Sequence, residues 1–167
     1  MKYLLFLLLS CCISFTALSQ GKCDLSSLSK TDKTLLQNFW ADLKVAIKER
    51  DKDKLAALCA FPFTCSFCQE MGPTNVNQPY VTVTRKEFDV YFYKIFSDKK
   101  LEKEVAQYKL PEEFIIITHF NTKDKRCSYS FAYTVFEETD KHPGKQYLFD
   151  IQKVNENFKI TAAWAIP

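Results

Sequence analysis

Glycine occurs three times in 167 residues, too seldom to supply flexible joints between domains. Histidine occurs twice, at 119 and 142, and no H-x-x-x-H spacing exists to grip a metal. Lysine and arginine number 23 against 20 acidic residues, a net charge of +3, and no run of five residues carries one sign. Recognition of nucleic acid or of a membrane surface calls for basic residues clustered along the chain, so neither partner is expected. Internal repeats and low-complexity tracts are missing as well, which leaves a single folding unit.

Apolar bulk is what the chain does have: 47% hydrophobic residues and 15% aromatic ones. A domain of this length buries a core without metals or multiple bridges to hold it. The first residues read differently. In "MKYLLFLLLSCCISFTALS" a charged Lys2 precedes an apolar run from Tyr3 to Leu9, and small residues close the stretch at Ala17 and Ser19. That order predicts a cleaved signal peptide over 1–19, its apolar run too short for a spanning helix. An N-terminal segment at 20–30 and one domain at 31–167 follow, secreted or periplasmic, with no stable membrane anchor after cleavage.

Helical periodicity comes first. Leu36, Phe39, Trp40, Leu43 and Ile47 fall three and four apart and predict an amphipathic helix over 31–49. Asp51 is placed to cap a second, shorter helix carrying Leu55, Leu58 and Cys59 inward, with Pro62 ending it. Thr84-Arg85-Lys86-Glu87 has the capping-box pattern, in which Thr and Glu satisfy each other's backbone amides. Phe88, Tyr91, Phe92, Ile95 and Phe96 then repeat as a third helix. A further helical turn or two is expected in Leu101–Tyr108.

From Phe114 the period becomes two. Tyr129, Phe131, Tyr133 and Val135 alternate with small or polar residues, as do Tyr147, Phe149 and Ile151, and then Phe158, Ile160, Ala162 and Trp164. These predict consecutive antiparallel strands, the last two joined by a turn at Asn155–Asn157. The more continuously apolar stretch Phe114–Phe120 is expected at the centre of the sheet. Helices first and strands afterwards give an α+β domain, three N-terminal helices packed on a curved, mainly antiparallel sheet.

This element order, with "NFWADLKVAIKERDKDKLAAL" at 38–58 and "YLFDIQKVNENFKITAAWAI" at 147–166, resembles the nuclear-transport-factor-2-like superfamily, whose fold is a cystatin-like cone. The resemblance implies a pocket between sheet and helices, and homodimers are frequent among its members. They include ketosteroid isomerase, scytalone dehydratase and epoxide hydrolases beside non-enzymatic binding domains. An isomerase of that type needs a pocket-facing carboxylate, and Asp150 alternates with Phe149 and Ile151 away from the aromatic side. His142 reads as a solvated turn residue, and His119, late in its strand, as an imidazole near the cone's mouth with no acid close in sequence to orient it. No catalytic residue and no cofactor is assigned. The expectation is a non-catalytic domain binding a small apolar ligand or a protein partner; the alternative is an isomerase, lyase or hydrolase with a dispersed active site. Trp40, Tyr91, His119, Tyr129, Tyr133, Tyr147 and Trp164 are the candidate pocket lining, although core packing explains the same rings.

Cysteine completes the reading. Beyond the signal peptide lie Cys23, Cys59, Cys65, Cys68 and Cys127, an odd number in an oxidising compartment. A zinc site on Cys65 and Cys68 lacks a second ligand pair, so no metal is assigned, and a redox pair would open a helix rather than follow Phe61-Pro62-Phe63. A structural disulfide involving Cys65 or Cys68 is expected, the two bridging each other only if a turn runs through Ser66-Phe67. Cys23 and Cys127 are the other disulfide candidates, their pairing open, and Cys59 is expected to be a small buried hydrophobe.

Overall fold

The computed structural model describes residues 23–71, 80–121 and 126–166; the expected signal peptide at 1–19 lies outside them. Ser29 starts the first helix by accepting the Asp32 amide at 3.0 Å. Helix α1 (Lys30–Glu49) buries the stripe Leu36, Phe39, Trp40, Leu43, Ala46 and Ile47. It ends on Arg50 in a left-handed conformation, φ 52°, which turns the chain directly into α2 (Lys52–Ala57). Asp51 caps that helix through the Lys54 amide at 3.0 Å, as its sequence position predicts. The helix stops before Pro62, however, and Cys59 is a buried residue of a strand, not of α2.

That strand, β1 (Cys59–Cys65), contains Pro62 after a cis peptide bond. A short partner, β2 (Val81–Val83), pairs antiparallel with it. The capping box forms as read: the Glu87 carboxylate accepts the Thr84 amide at 3.0 Å, and the Thr84 hydroxyl accepts the Glu87 amide at 3.3 Å. Helix α3 (Phe88–Ile95) follows and buries Phe88, Tyr91, Phe92 and Ile95. The weaker helical stretch proves to be a full fourth helix, α4 (Lys99–Gln107), capped by Asp98.

Strands β3 (Ile115–Asn121), β4 (Arg126–Phe136), β5 (Lys145–Val154) and β6 (Asn157–Ile166) complete a six-stranded sheet in the order β2-β1-β6-β5-β4-β3. Among the described residues, β1 and β6 are the one pair that runs parallel. The apolar stretch expected at the centre, β3, is an edge strand; β6 and β5 hold the middle.

Beside a register shift between Cys59 and Thr64 where β1 meets β6, three irregularities each insert one residue into a strand and bend the sheet. They fall at Ile116 in β3, Val135 in β4 and Thr161 in β6. The helix-facing side carries Tyr129, Phe131, Tyr133, Tyr147, Phe149, Ile151, Phe158 and Ile160, and these meet the buried stripes of the helices in one core. Each ring fully buried there contributes about 2–3 kcal/mol relative to exposure. The molecule is therefore an α+β domain with helices on one face of a curved sheet.

Two disulfides pin the ends of this arrangement. Cys23 bonds Cys127 at the start of β4, with 5.4 Å between the α-carbons. Cys65 bonds Cys68 across a turn that brings their α-carbons to the same distance, so the turned alternative holds and the extended one does not. The turn docks on the last strand: the Ser66 amide donates to the Ala163 carbonyl at 2.9 Å, and the Ala165 amide donates to the Ser66 hydroxyl at 2.7 Å. Cys59 stays a free, buried thiol, and burial pushes its ionisation far above the usual thiol range.

Candidate functional site

The ring-bearing residues singled out in the sequence divide into two groups. Trp40, Tyr91, Tyr129, Tyr133 and Tyr147 are all buried in the core between helices and sheet. There Trp40, Tyr129, Tyr133 and Tyr147 pack against other rings. Trp40 meets Phe114 and Phe131 edge-on at 5.5 and 5.6 Å, Phe131 stacks on Phe149 at 5.1 Å, and Tyr147 lies flat on Phe67 at 3.9 Å. Spacings of this kind fill the interior of the cone with side chains. The buried polar tips find partners, since the Trp40 indole donates to the Tyr108 carbonyl at 3.3 Å and the Tyr133 hydroxyl to Asp98 at 3.1 Å.

Trp164 and His119 stand elsewhere, Trp164 contrary to the alternation read from sequence. The extra residue at Thr161 shifts the phase of β6, so Trp164 pairs with Leu148 on the helix-free face while Ala163 and Ala165 turn inward. The same physics acts at Ile116 in β3: His119 pairs with Ser128 on the helix-free face, exposed. Asp150 lies on that face too, as its position between Phe149 and Ile151 predicts. Its carboxylate accepts the Ser130 hydroxyl at 2.5 Å and the Trp164 indole at 2.7 Å.

A groove opens instead where the β4–β5 hairpin meets the end of β6. It holds about 760 Å³ and is walled by Phe136, Pro143, Gly144, Ala165 and Ile166, with Glu137, Thr139, His142 and Lys145 completing its lining. The local sequence builds it. The irregularity at Val135 lets Phe136 pair with Lys145 and leaves its ring 53% exposed. Thr139 and His142 close the hairpin by exchanging backbone bonds at 3.0 and 3.2 Å. Gly144 suits the close approach here: a β-carbon there would sit 3.1 Å from the Glu138 amide nitrogen, so the backbone would have to give by a few tenths of an ångström. The Lys145 ammonium lies over the Tyr147 ring at 5.4 Å, joining the groove to the packed interior.

His142 thus sits on a ligand-sized groove, although exposed as the sequence suggests. The groove's apolar walls escaped the sequence reading because they come from the ends of two strands beyond inserted residues, where simple alternation no longer predicts the face. One signal was available: an aromatic, Phe136, placed directly before the polar run "EETDKHPGK". Among the described residues, no three of His, Cys, Asp and Glu converge as a metal-ligand group.

No family model matches the sequence, and no curated protein matches it. Solved structures of similar shape include a ketosteroid isomerase-like protein from Erwinia carotovora atroseptica SCRI1043. It is 12% identical over 82% of this chain and 96% of that one, with a TM-score of 0.42. An NTF-2-like protein of unknown function from Shewanella oneidensis MR-1 aligns at 11% identity over 82% and 98%, TM-score 0.43. An NTF2-like protein with a cystatin-like fold from Novosphingobium aromaticivorans aligns at 10% identity over 87% and 90%, TM-score 0.40.

Proposed function

We propose that this chain is an exported, single-domain member of the nuclear-transport-factor-2-like superfamily that binds a small apolar ligand in the hairpin groove. The observation that carries the reading is a contrast: the interior is packed with rings, while the groove is open, apolar and about 760 Å³. Ligand sites of small molecules run from about 300 to 1,000 Å³ and combine apolar walls with a few polar groups. Phe136, Ala165 and Ile166 supply the walls here, and His142, Lys145 and Glu137 the polar groups. The leader-like start and two disulfides support export to an oxidising compartment. A second copy, implied by the family resemblance, would sit against the helix-free face of the sheet.

Fluorescence of the neutral probe N-phenyl-1-naphthylamine tests the groove. Binding by the wild-type protein is expected, with about tenfold weaker binding in Phe136→Lys and in Ile166→Glu. No binding by the wild-type protein, or binding by both variants as tight as the wild type's, rejects the site. If a natural ligand copurifies, mass spectrometry separates the two readings. Recovery unchanged after incubation supports a binding domain, and conversion that ceases in His142→Ala supports the isomerase, lyase or hydrolase alternative.

A further inference from the structure

Several cations on this surface have a carboxylate close by. Lys52 reaches Asp89 at 3.1 Å, Lys54 reaches Glu49 at 2.6 Å, Arg85 reaches Asp53 at 3.0 Å, and Lys153 joins Asp32 at 2.9 Å. Along the seam between α1 and α4 the pattern reverses. Two hollows of about 450 and 500 Å³ share Glu102 and Ala106, so they run together as one groove.

The two ends of that groove differ in chemistry. One end has an apolar floor of Val45, Ile47, Val105 and Ala106, and Val45 is left 45% exposed. The other end gathers Arg50, Lys99 and Lys103, while Lys48 lines the apolar end. Lys99 and Lys103 are one turn apart on α4 and share a face. Arg50 joins them because the left-handed end of α1 turns it there. Among the described residues these four cations have no ion-pair or side-chain hydrogen-bond partner. Among the described residues Glu102 is the one acid lining both hollows. Of the carboxylates beside these cations in sequence, Glu49 and Asp51 are engaged by Lys54, Asp98 is engaged by the Lys100 amide and the Tyr133 hydroxyl, and Glu104 lines a separate hollow that Lys103 also borders.

Gathered like charges repel, and a bound anion removes that cost. An alkyl strip beside them adds a second, hydrophobic anchor. We infer that the α1–α4 seam binds a single-chain anionic amphiphile, its alkyl chain on Val45, Ile47 and Val105 and its carboxylate or phosphate head among Arg50, Lys99 and Lys103. The cations converge in space though they are dispersed in sequence, which is why no basic run announces them.

Calorimetric titration of the purified protein with monomeric dodecyl phosphate, below its micelle concentration, reads this directly. One equivalent is expected to bind. Inorganic phosphate, which has the head alone, and dodecyl maltoside, which has an uncharged head, are each expected to bind at least about tenfold more weakly. The double variant Arg50→Glu with Lys103→Glu is expected to weaken dodecyl phosphate by about tenfold or more, as is Val45→Glu. Affinity should also fall steeply on raising salt. The hairpin-groove variant Ile166→Glu should leave this binding unchanged, so the seam and the proposed ligand groove fail or succeed separately. Absence of binding, equal affinity for the maltoside, unchanged affinity in the charge-reversed protein, or loss of binding in Ile166→Glu overturns the proposal.

Discussion

Tyr133 places a hydroxyl among packed rings, and its hydrogen bond to Asp98 at 3.1 Å is what makes that placement tolerable. Burial first, and then the negative charge of Asp98, push its ionisation well above the ordinary tyrosine range. An acid whose folded-state pKa is raised releases its proton more readily from the unfolded chain. Its contribution is therefore complete below about pH 10 and is lost as pH climbs beyond that value. Urea midpoints are expected to drop above pH 10 in the wild-type protein and to drop less in Tyr133→Phe. At neutral pH the same variant should cost about 1 kcal/mol, because Asp98 loses a donor. Parallel pH curves for the two proteins would remove Tyr133 as the cause.

At the scale of elements, β6 shows how one residue redirects a strand. Thr161 is the extra residue against β5, and beyond it every side chain changes face. Deleting Thr161 restores strict alternation and drives the Trp164 indole toward the side where Ala163 packs with no exposed surface. The expected cost is about 3 kcal/mol or more from overpacking, together with loss of the Asp150 bond. Thermal melts and near-UV circular dichroism check it, and an unchanged melt would show that the register slides freely. The same element marks the boundary of what the sequence discloses. Helix starts were readable because Asp51, Thr84 and Glu87 act on amides within three residues. Alternating strands were readable because each ring on Tyr129, Phe131 and Tyr133 faces one way. A strand's phase beyond an inserted residue depends on a partner far along the chain, so Trp164 was read onto the wrong face and the face of His119 was not read at all. The parallel pairing of β1 with β6 was hidden for the same reason, since nothing local to "CAFPFTC" specifies a neighbour about a hundred positions later. The hairpin groove and the cationic seam are likewise products of tertiary convergence.

For the whole molecule, the Cys23–Cys127 bond closes a span of 104 residues and ties the lead-in to α1 onto the sheet. A bridge across a loop of that length restricts the unfolded chain and contributes about 2–4 kcal/mol. The double variant Cys23→Ala with Cys127→Ala is expected to unfold at correspondingly lower denaturant with little change in the folded core, as read by urea titration. Cys65–Cys68 spans only three residues and restricts the unfolded chain far less. Its effect is local, holding Ser66 against β6 beside the hairpin groove.

The strand order has a last implication. In the sequence β2-β1-β6-β5-β4-β3 the final strand to be made is the keystone, wedged between a ribbon from the early half of the chain and a ribbon from the late half. As the polypeptide is synthesised from its N-terminus, those two ribbons have no backbone seam to share until Asn157–Ile166 slots between them. A protein cut short before Asn157 would keep nearly all of its greasy residues and still have no continuous sheet on which to close them.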